Sequence, residues 1–215
     1  MSRLPTWAAQ HIAAIRAIIV LTLITGFVYP VVILGIGQAA FHNQANGSIV
    51  SYNGKVVGSS LLCQEFVDSK GNPLPQYFQP RPSTASSSSV KNDYGCDPNY
   101  SGASNLGPNN PTLLKNVEAY KKAYAAFNHV SESSVPPDAV TTSGSGLDPY
   151  ISPQNAADQE ARVAAARHLP LSQVKNLVAS HTQGRTIGFL GEPRVNVLLL
   201  NIALDQLSAS AKPGS

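Results

Sequence analysis

AIIVLTLITGFVYPVVILGIG, residues Ala17 to Gly37, holds no charged side chain in 21 positions. Coiled into a helix it measures about 30 Å, the thickness of a bilayer's hydrocarbon core. A helix buried in a soluble core needs neither that length nor that purity, so the stretch reads as a membrane span. A cleaved signal peptide is the rival reading, because Gly37-Gln38-Ala39 has the small-x-small form of a cleavage site. The apolar run nevertheless exceeds the ~7–15 residues of a signal's hydrophobic region, and no lipoprotein-type Cys follows it. The expectation is an uncleaved anchor.

The flanks orient it. Arg3, His11 and Arg16 precede the span, whereas the next Lys or Arg after it is Lys55. The positive-inside rule then divides the chain into a cytoplasmic tail (1–16), an anchor (17–37) and an extracytoplasmic domain (38–215). Within the span, Thr22, Thr25, Gly26 and Tyr29 recur on one helical face, and Pro30 removes a backbone donor. Small and hydroxylated residues let membrane helices approach closely and bond across the interface. The stripe therefore predicts a helical partner in the membrane.

The remainder of the 215 residues fits one domain. Charged side chains make up 13% of the chain, against ~25% in typical soluble domains. Hydrophobic residues at 43% exclude wholesale disorder, yet most of the chain is too polar for a polytopic membrane protein. The formal charge of +3 is concentrated at the start, leaving 13 Lys and Arg against 12 Asp and Glu over residues 17–215. A near-neutral domain offers nucleic acid no footprint, which excludes that class of partner.

Residues 48–57, SIVSYNGKVV, flank Asn53-Gly54 with β-rich runs and predict a hairpin with a type I′ turn. A third apolar run, Leu61 to Phe66, is expected to extend that sheet. Residues 69–110 are rich in Gly, Pro, Ser and Asn, including the run Ser86 to Ser89, and read as long irregular loops. Helices return at Asn110-Pro111, with Leu113, Val117, Tyr120, Tyr124 and Phe127 at helical spacing. Ser152-Pro153 opens a second helix ending near Arg167, and a third is expected from about Pro170 to His181 on Val174, Leu177 and Val178. A fourth follows Pro193, carrying Val197, Leu198, Asn201, Ile202 and Leu204. Strands, then loops, then helices make an α+β fold: one N-terminal transmembrane helix and a single extracytoplasmic α+β domain with long loops.

Cys63 and Cys96 make an even pair in the part expected outside the cell, which favours a disulfide. A buried free Cys63 with an incidental Cys96 is the other reading. Neither has a His or Cys beside it at metal-ligand spacing. The usual signatures of nucleotide and hydrolytic chemistry are absent: no GxxxxGK[ST], GxGxxG, GxSxG or HExxH occurs. Ser145, His181 and Asp148 supply the types for a Ser–His–Asp set, but such a set arises by chance in most chains of this length.

Two runs stand out. One is Ser143-Gly144-Ser145-Gly146-Leu147-Asp148-Pro149, leading through Tyr150 into Ile151-Ser152-Pro153 and a helix cap. The other holds His181-Thr182, Gly184-Arg185, Gly188-Phe189-Leu190-Gly191-Glu192-Pro193 and Val195-Asn196-Val197-Leu198. Its glycines permit backbone shapes other residues resist, and Arg185, Glu192 and Arg194 can pair with one another or with another protein. With Gln44-Ala45-Asn46-Gly47-Ser48, Tyr77-Phe78, Arg81-Pro82-Ser83 and Ser104-Asn105-Leu106-Gly107-Pro108, these blocks closely resemble the C-subunit family of the Kdp potassium-transporting P-type ATPase (KdpC), in order and over nearly the whole chain.

The resemblance implies a non-catalytic subunit of a high-affinity, ATP-driven potassium importer in a bacterial plasma membrane. Its implied partners are a P-type ATPase subunit, a channel-like potassium-conducting subunit and a small F subunit, besides membrane lipid. It implies stabilisation of the complex and a catalytic-chaperone role that promotes ATP binding by the ATPase subunit. No cofactor is expected on this chain; ATP and potassium belong to the complex. An extracytoplasmic domain cannot touch cytoplasmic ATP, so any such effect is expected to be indirect. Two departures stand: Tyr150 takes the place of the family's usual His, and the loop from Ala85 to Tyr100 is longer than usual, so the resemblance carries no disulfide over. A free-standing anchored binding or assembly factor is the alternative from another class, and an exported hydrolase the third.

Overall fold

The computed structural model describes residues 5–86 and 95–210; Arg3 and Ser87 to Ser89 lie outside them. The chain forms two compact units, Met1–Ile49 and Val50–Ser215.

The first unit is dominated by one continuous apolar helix, Thr6–Ala40, with none of its apolar stretch buried. It comprises α1 (Thr6–Leu23), a π-helical turn (Ile24–Val28) and α2 (Tyr29–Ala40). Pro30 explains the wide turn. It has no N–H for the carbonyl of Gly26, and its ring crowds that carbonyl, so the helix opens locally. The amide of Tyr29 accordingly reaches back five residues to the carbonyl of Ile24. At its other end Phe41 leaves helical geometry and a short helix, α3 (His42–Ala45), follows. The amides of Gln38 and Asn46 bond each other in both directions, at 3.0 and 3.3 Å, and stiffen this elbow.

The second unit opens with the expected hairpin, β1 (Ile49–Tyr52) and β2 (Lys55–Ser59). Asn53 and Gly54 both take positive φ, 50° and 75°, as a type I′ turn requires. The sheet stops there. Residues Leu61 to Phe66 form no third strand: the Cys63 amide bonds the carbonyl of Leu147, and the Phe66 carbonyl accepts from Leu74 and Gln79. Side-chain and loop partners take the ladder's place.

The next two helices begin on their own side-chain caps. The Asn110 side chain accepts from the Thr112 amide ahead of α4 (Pro111–Asn128), and Ser152 accepts from Asn155 ahead of α5 (Pro153–Arg167). His129 and His168 close these two helices in the left-handed region. Next come α6 (Leu171–His181) and three very short strands. These are β3 (Tyr150–Ile151), β4 (Thr182–Gln183) and β5 (Arg194–Asn196), in the antiparallel order β3-β5-β4, pairing Ile151 and Thr182 with Val195. The helix expected after Pro193 is therefore preceded by a strand, and α7 runs Val197–Ser210. Val163, Val174, Val195, Leu200 and Leu204 form the core with Phe78 and Ile151.

Phe78 lies on a segment that crosses this core, and among the described residues no strand pairs with it. Its backbone groups are satisfied by side chains instead. Asn201 accepts from the Phe78 N–H and donates to its carbonyl, each at 2.9 Å. Gln159 does the same for Gln79, at 2.7 and 3.1 Å. Arg162 donates to the carbonyls of Pro75 and Tyr77, and Arg167 to that of Gln76. Arg167 also lies over the Tyr77 ring and 2.7 Å from Asp205. Four side chains thus replace a neighbouring strand for residues 75–79.

Removing one such amide leaves a buried donor and acceptor unpaired, at ~1–3 kcal/mol each. Asn201→Ala is expected to lower unfolding free energy by about 2–5 kcal/mol. Ser152→Ala, which loses a helix cap, is expected to cost about 1 kcal/mol. Proteolysis of the detergent-solubilised chain across a urea series measures both.

Candidate functional site

The Ser143–Pro149 run is a clasp. Its consecutive carbonyls each accept from a different segment: Ser145 from the Gly102 amide and Ser101 hydroxyl, Gly146 from the Ser83 hydroxyl, and Leu147 from the Cys63 amide. The Pro149 carbonyl accepts from Val197 at the start of α7. The Ser83 hydroxyl in turn accepts from the amides of Ala85 and Cys96. Cys96 is disulfide-bonded to Cys63, with Cα atoms 5.4 Å apart and a sequence separation of 33. Cross-linking a loop of that size restricts the unfolded chain by ~3–4 kcal/mol.

Gly146 makes the clasp possible. It takes φ +73°, and a Cβ there would lie 2.6 Å from the Gly102 carbonyl and 2.7 Å from Ala85 Cβ. Asp148 closes the other side. One carboxylate oxygen takes the Arg81 guanidinium at 3.0 Å, and the other accepts from the Tyr150 amide. Arg81 also donates to the carbonyl of Thr141. The blocks Arg81-Pro82-Ser83 and Ser143–Pro149, distant in sequence, therefore meet.

The residues considered for hydrolysis are spent on structure. Ser145 Oγ accepts from the Leu147 amide, Asp148 holds Arg81, and His181 Nδ1 contacts the carbonyl of Leu177 and the hydroxyl of Ser180. Tyr150 presents its ring to the Arg194 guanidinium at 4.1 Å.

A second polar cluster joins α4 to α5. The Tyr124 hydroxyl donates to Asn155, and Asp138 accepts from the amide and hydroxyl of Ser152 and from the Asn155 side chain. Burial, with the nearby Asp158 and Asp138 carboxylates, pushes the Tyr124 hydroxyl above its ordinary range. Arg162 bonds Asn128 and Gln159 and stacks 4.3 Å over Phe127. Its burial depresses the guanidinium below the usual arginine value. Beside the cluster a cleft of about 400 Å³ is lined by Tyr120, Tyr124 and Phe127 on one wall and Pro73, Pro80 and Pro82 on another. Among the described residues no group of three or more His, Cys, Asp or Glu is placed to hold a metal ion.

The second run forms an arm between β4 and β5. Thr186 and Leu190 exchange backbone bonds at 2.9 Å, and Arg185 meets Glu192 at 2.7 Å across its base. Ile187 takes φ +56°, a conformation that costs a β-branched residue ~1–3 kcal/mol. Arg185 and Glu192 pair with each other, while Arg194 turns to Tyr150 and Gln183.

In the apolar Thr6–Ala40 helix, a Cβ at Gly26 would lie 4.0 Å from Thr22 Cγ2, which puts these two members of the stripe side by side. The Thr25 hydroxyl donates to the Leu21 carbonyl, one turn back. Its proton is thus used within the helix. Tyr29 is exposed to the surroundings of the helix.

An apolar helix fit to span a membrane, followed by a mixed helix-and-sheet domain, defines a membrane-associated protein. The comparison with known proteins makes this specific. The family model for the K+-transporting ATPase c chain, KdpC, matches residues 11–206. The potassium-transporting ATPase KdpC subunit of Kineococcus radiotolerans is 51% identical over 179 residues, 83% of this chain and 84% of its own. That of Sorangium cellulosum is 49% identical over 192 residues, 89% and 95% of the two chains. That of Mycobacterium tuberculosis is 46% identical over 199 residues, 92% and 98%. The chain belongs to the KdpC family, and as such is a non-catalytic accessory subunit of the potassium-importing ATPase complex.

Two tests follow from the clasp and the buried acids. Gly146→Ala is expected to cost about 2–4 kcal/mol of stability. Gly144→Ala, whose added Cβ meets nothing within 4 Å, is expected to cost little, as urea midpoints will show. Burial raises the Glu160 carboxyl, partly offset by Lys175. Its folded value thus exceeds the unfolded one, the unfolded state holds fewer protons, and stability falls as pH rises from 4.5. Glu160→Gln is expected to flatten that fall and to raise stability at neutral pH, measured by unfolding across the pH range.

Proposed function

We propose that the chain is held by its Thr6–Ala40 helix in the bacterial plasma membrane, with residues 1–16 in the cytoplasm and residues 38–215 outside. The span is residues 17–37, and its Thr22, Thr25, Gly26 and Tyr29 face packs against helices of the ATPase and channel-like subunits, with the small F subunit in the same assembly. The observation that carries this reading is the helix itself: 35 residues, apolar, with no part of its apolar stretch buried by the rest of the chain. Such a surface is covered by lipid or by other membrane helices.

On this reading the chain stabilises the complex and promotes ATP use by the ATPase subunit without binding nucleotide. The positive flank supports the orientation. The internal use of Arg81, Asp148, Arg162 and Arg167 supports a head that acts by contact rather than chemistry. Coupling runs through subunit contacts that shift a conformational equilibrium of the pump. The extracytoplasmic domain covers the outer mouth of the channel-like subunit.

Deleting residues 42–215 while keeping the span is expected to abolish high-affinity potassium uptake in potassium-limited cells. Unchanged uptake would remove the domain from the mechanism. Gly26→Leu is expected to lower recovery of the other subunits with a tagged chain by about tenfold, because a large side chain blocks close helix approach. Gly35→Leu, which lies outside the Thr22–Tyr29 stripe, is expected to leave recovery intact.

A further inference from the structure

We propose that the wide turn of the Thr6–Ala40 helix is a docking point, where carbonyls left without an amide accept a hydrogen bond from a Ser, Thr, Asn or Gln side chain on a membrane helix of another subunit. The inference rests on the reading that the chain spans the bilayer as a bound subunit, and it names the chemistry that meets the stripe.

In a regular α-helix the carbonyls of Thr25, Gly26 and Phe27 take the amides of residues 29, 30 and 31. Here the Tyr29 amide goes back to Ile24, and residue 30 is a proline with no N–H. Ordinary helical pairing resumes with α2 at Tyr29, so the amides beyond Val31 serve carbonyls beyond Phe27. The Val31 amide is therefore the one backbone donor left for three carbonyls, and at least two of them have none. Side chains of this chain do not supply the difference. The Thr25 hydroxyl donates to the Leu21 carbonyl at 2.8 Å, and among the described residues no side chain donates to the carbonyls of residues 25–27.

The depth of the turn decides what meets these carbonyls. Ile24–Val28 surrounds the midpoint of residues 17–37, about 15 Å from either surface of a 30 Å hydrocarbon core. Acyl chains carry no donor, headgroup donors stay at the surfaces, and an unpaired carbonyl in hydrocarbon is costly. The rest of the chain buries none of the apolar stretch, so the donor belongs to another protein. A charged donor is disfavoured at that depth, whereas hydroxyl and carboxamide groups are the usual bonds between membrane helices. The approach is open as well. Gly26 has no side chain over its own carbonyl, and a Cβ there would lie 4.0 Å from Thr22 Cγ2.

The test uses the complex purified from potassium-limited cells through a C-terminal tag on the full chain. A benzophenone amino acid in place of Tyr29 is illuminated, and its adduct is mapped by peptide mass spectrometry. The adduct is expected on another subunit, within one helical turn of a Ser, Thr, Asn or Gln. No protein adduct, or an adduct on a segment without such a side chain, overturns the proposal. The mapped polar residue is then replaced by an apolar one of similar size, beside either the natural chain or its Pro30→Ala variant, which regains an amide for the Gly26 carbonyl. Beside the natural chain, the replacement is expected to lower recovery of that subunit about three- to tenfold. Beside Pro30→Ala it is expected to change recovery little, because the carbonyl is already paired. Equal losses in both backgrounds would make Pro30 a shaping residue and overturn the bond, as would no loss in either. If the unmodified tagged chain recovers no other subunit, the subunit reading itself fails.

Discussion

The fold depends on how an unpaired stretch of backbone, residues 75–79, is kept in a dry core. Phe78 is fully buried, yet among the described residues no strand pairs with it. Buried amides and carbonyls must find partners, and here they find them on Asn201, Gln159, Arg162 and Arg167 of two helices. The arrangement ties α5, α7 and the loop-rich half of the domain into one body. It also determines where the strongest polar groups go. Gln159 alone bonds both backbone groups of Gln79, the Asn155 side chain and the Arg162 guanidinium.

The same economy governs the Ser143–Pro149 clasp. Its carbonyls, the Ser83 hydroxyl, the Arg81–Asp148 pair and the Cys63–Cys96 bond hold long irregular loops in place where helices and sheets do not. A small domain with two minor sheets and much irregular chain needs such cross-links, because loops contribute few backbone bonds among themselves. Most of the exposed large apolar side chains lie on the Thr6–Ala40 helix, with three more at the tip of the arm. That division suits a subunit whose work is to hold and bias other chains.

Much of this was legible in the sequence, and the reasons are physical. Asn110-Pro111 and Ser152-Pro153 announced α4 and α5 because caps act within three residues of themselves. Asn53-Gly54 announced the hairpin because few residue pairs accept two positive φ angles. The long apolar helix was legible from length and purity alone. The strands β3, β4 and β5 were not, since two or three residues carry no periodicity and their pairing is set by distant partners. Leu61 to Phe66 misled for the converse reason: an apolar run looks like a strand until a disulfide and loop carbonyls claim its backbone. The clamps by Asn201 and Gln159 leave no local signal, because an amide that replaces a strand looks like any other amide until the chain has folded. The alignment of blocks with the KdpC family carried the functional identity, and composition supplied only the exclusions.

The central claim is that this chain influences ATP use without touching ATP. Illuminating the purified, intact complex with an azido-ATP photolabel and mapping the modified peptides tests it directly. The account predicts label on the ATPase subunit and none on this chain. Label on residues of this chain, suppressed by excess unmodified ATP, would contradict it.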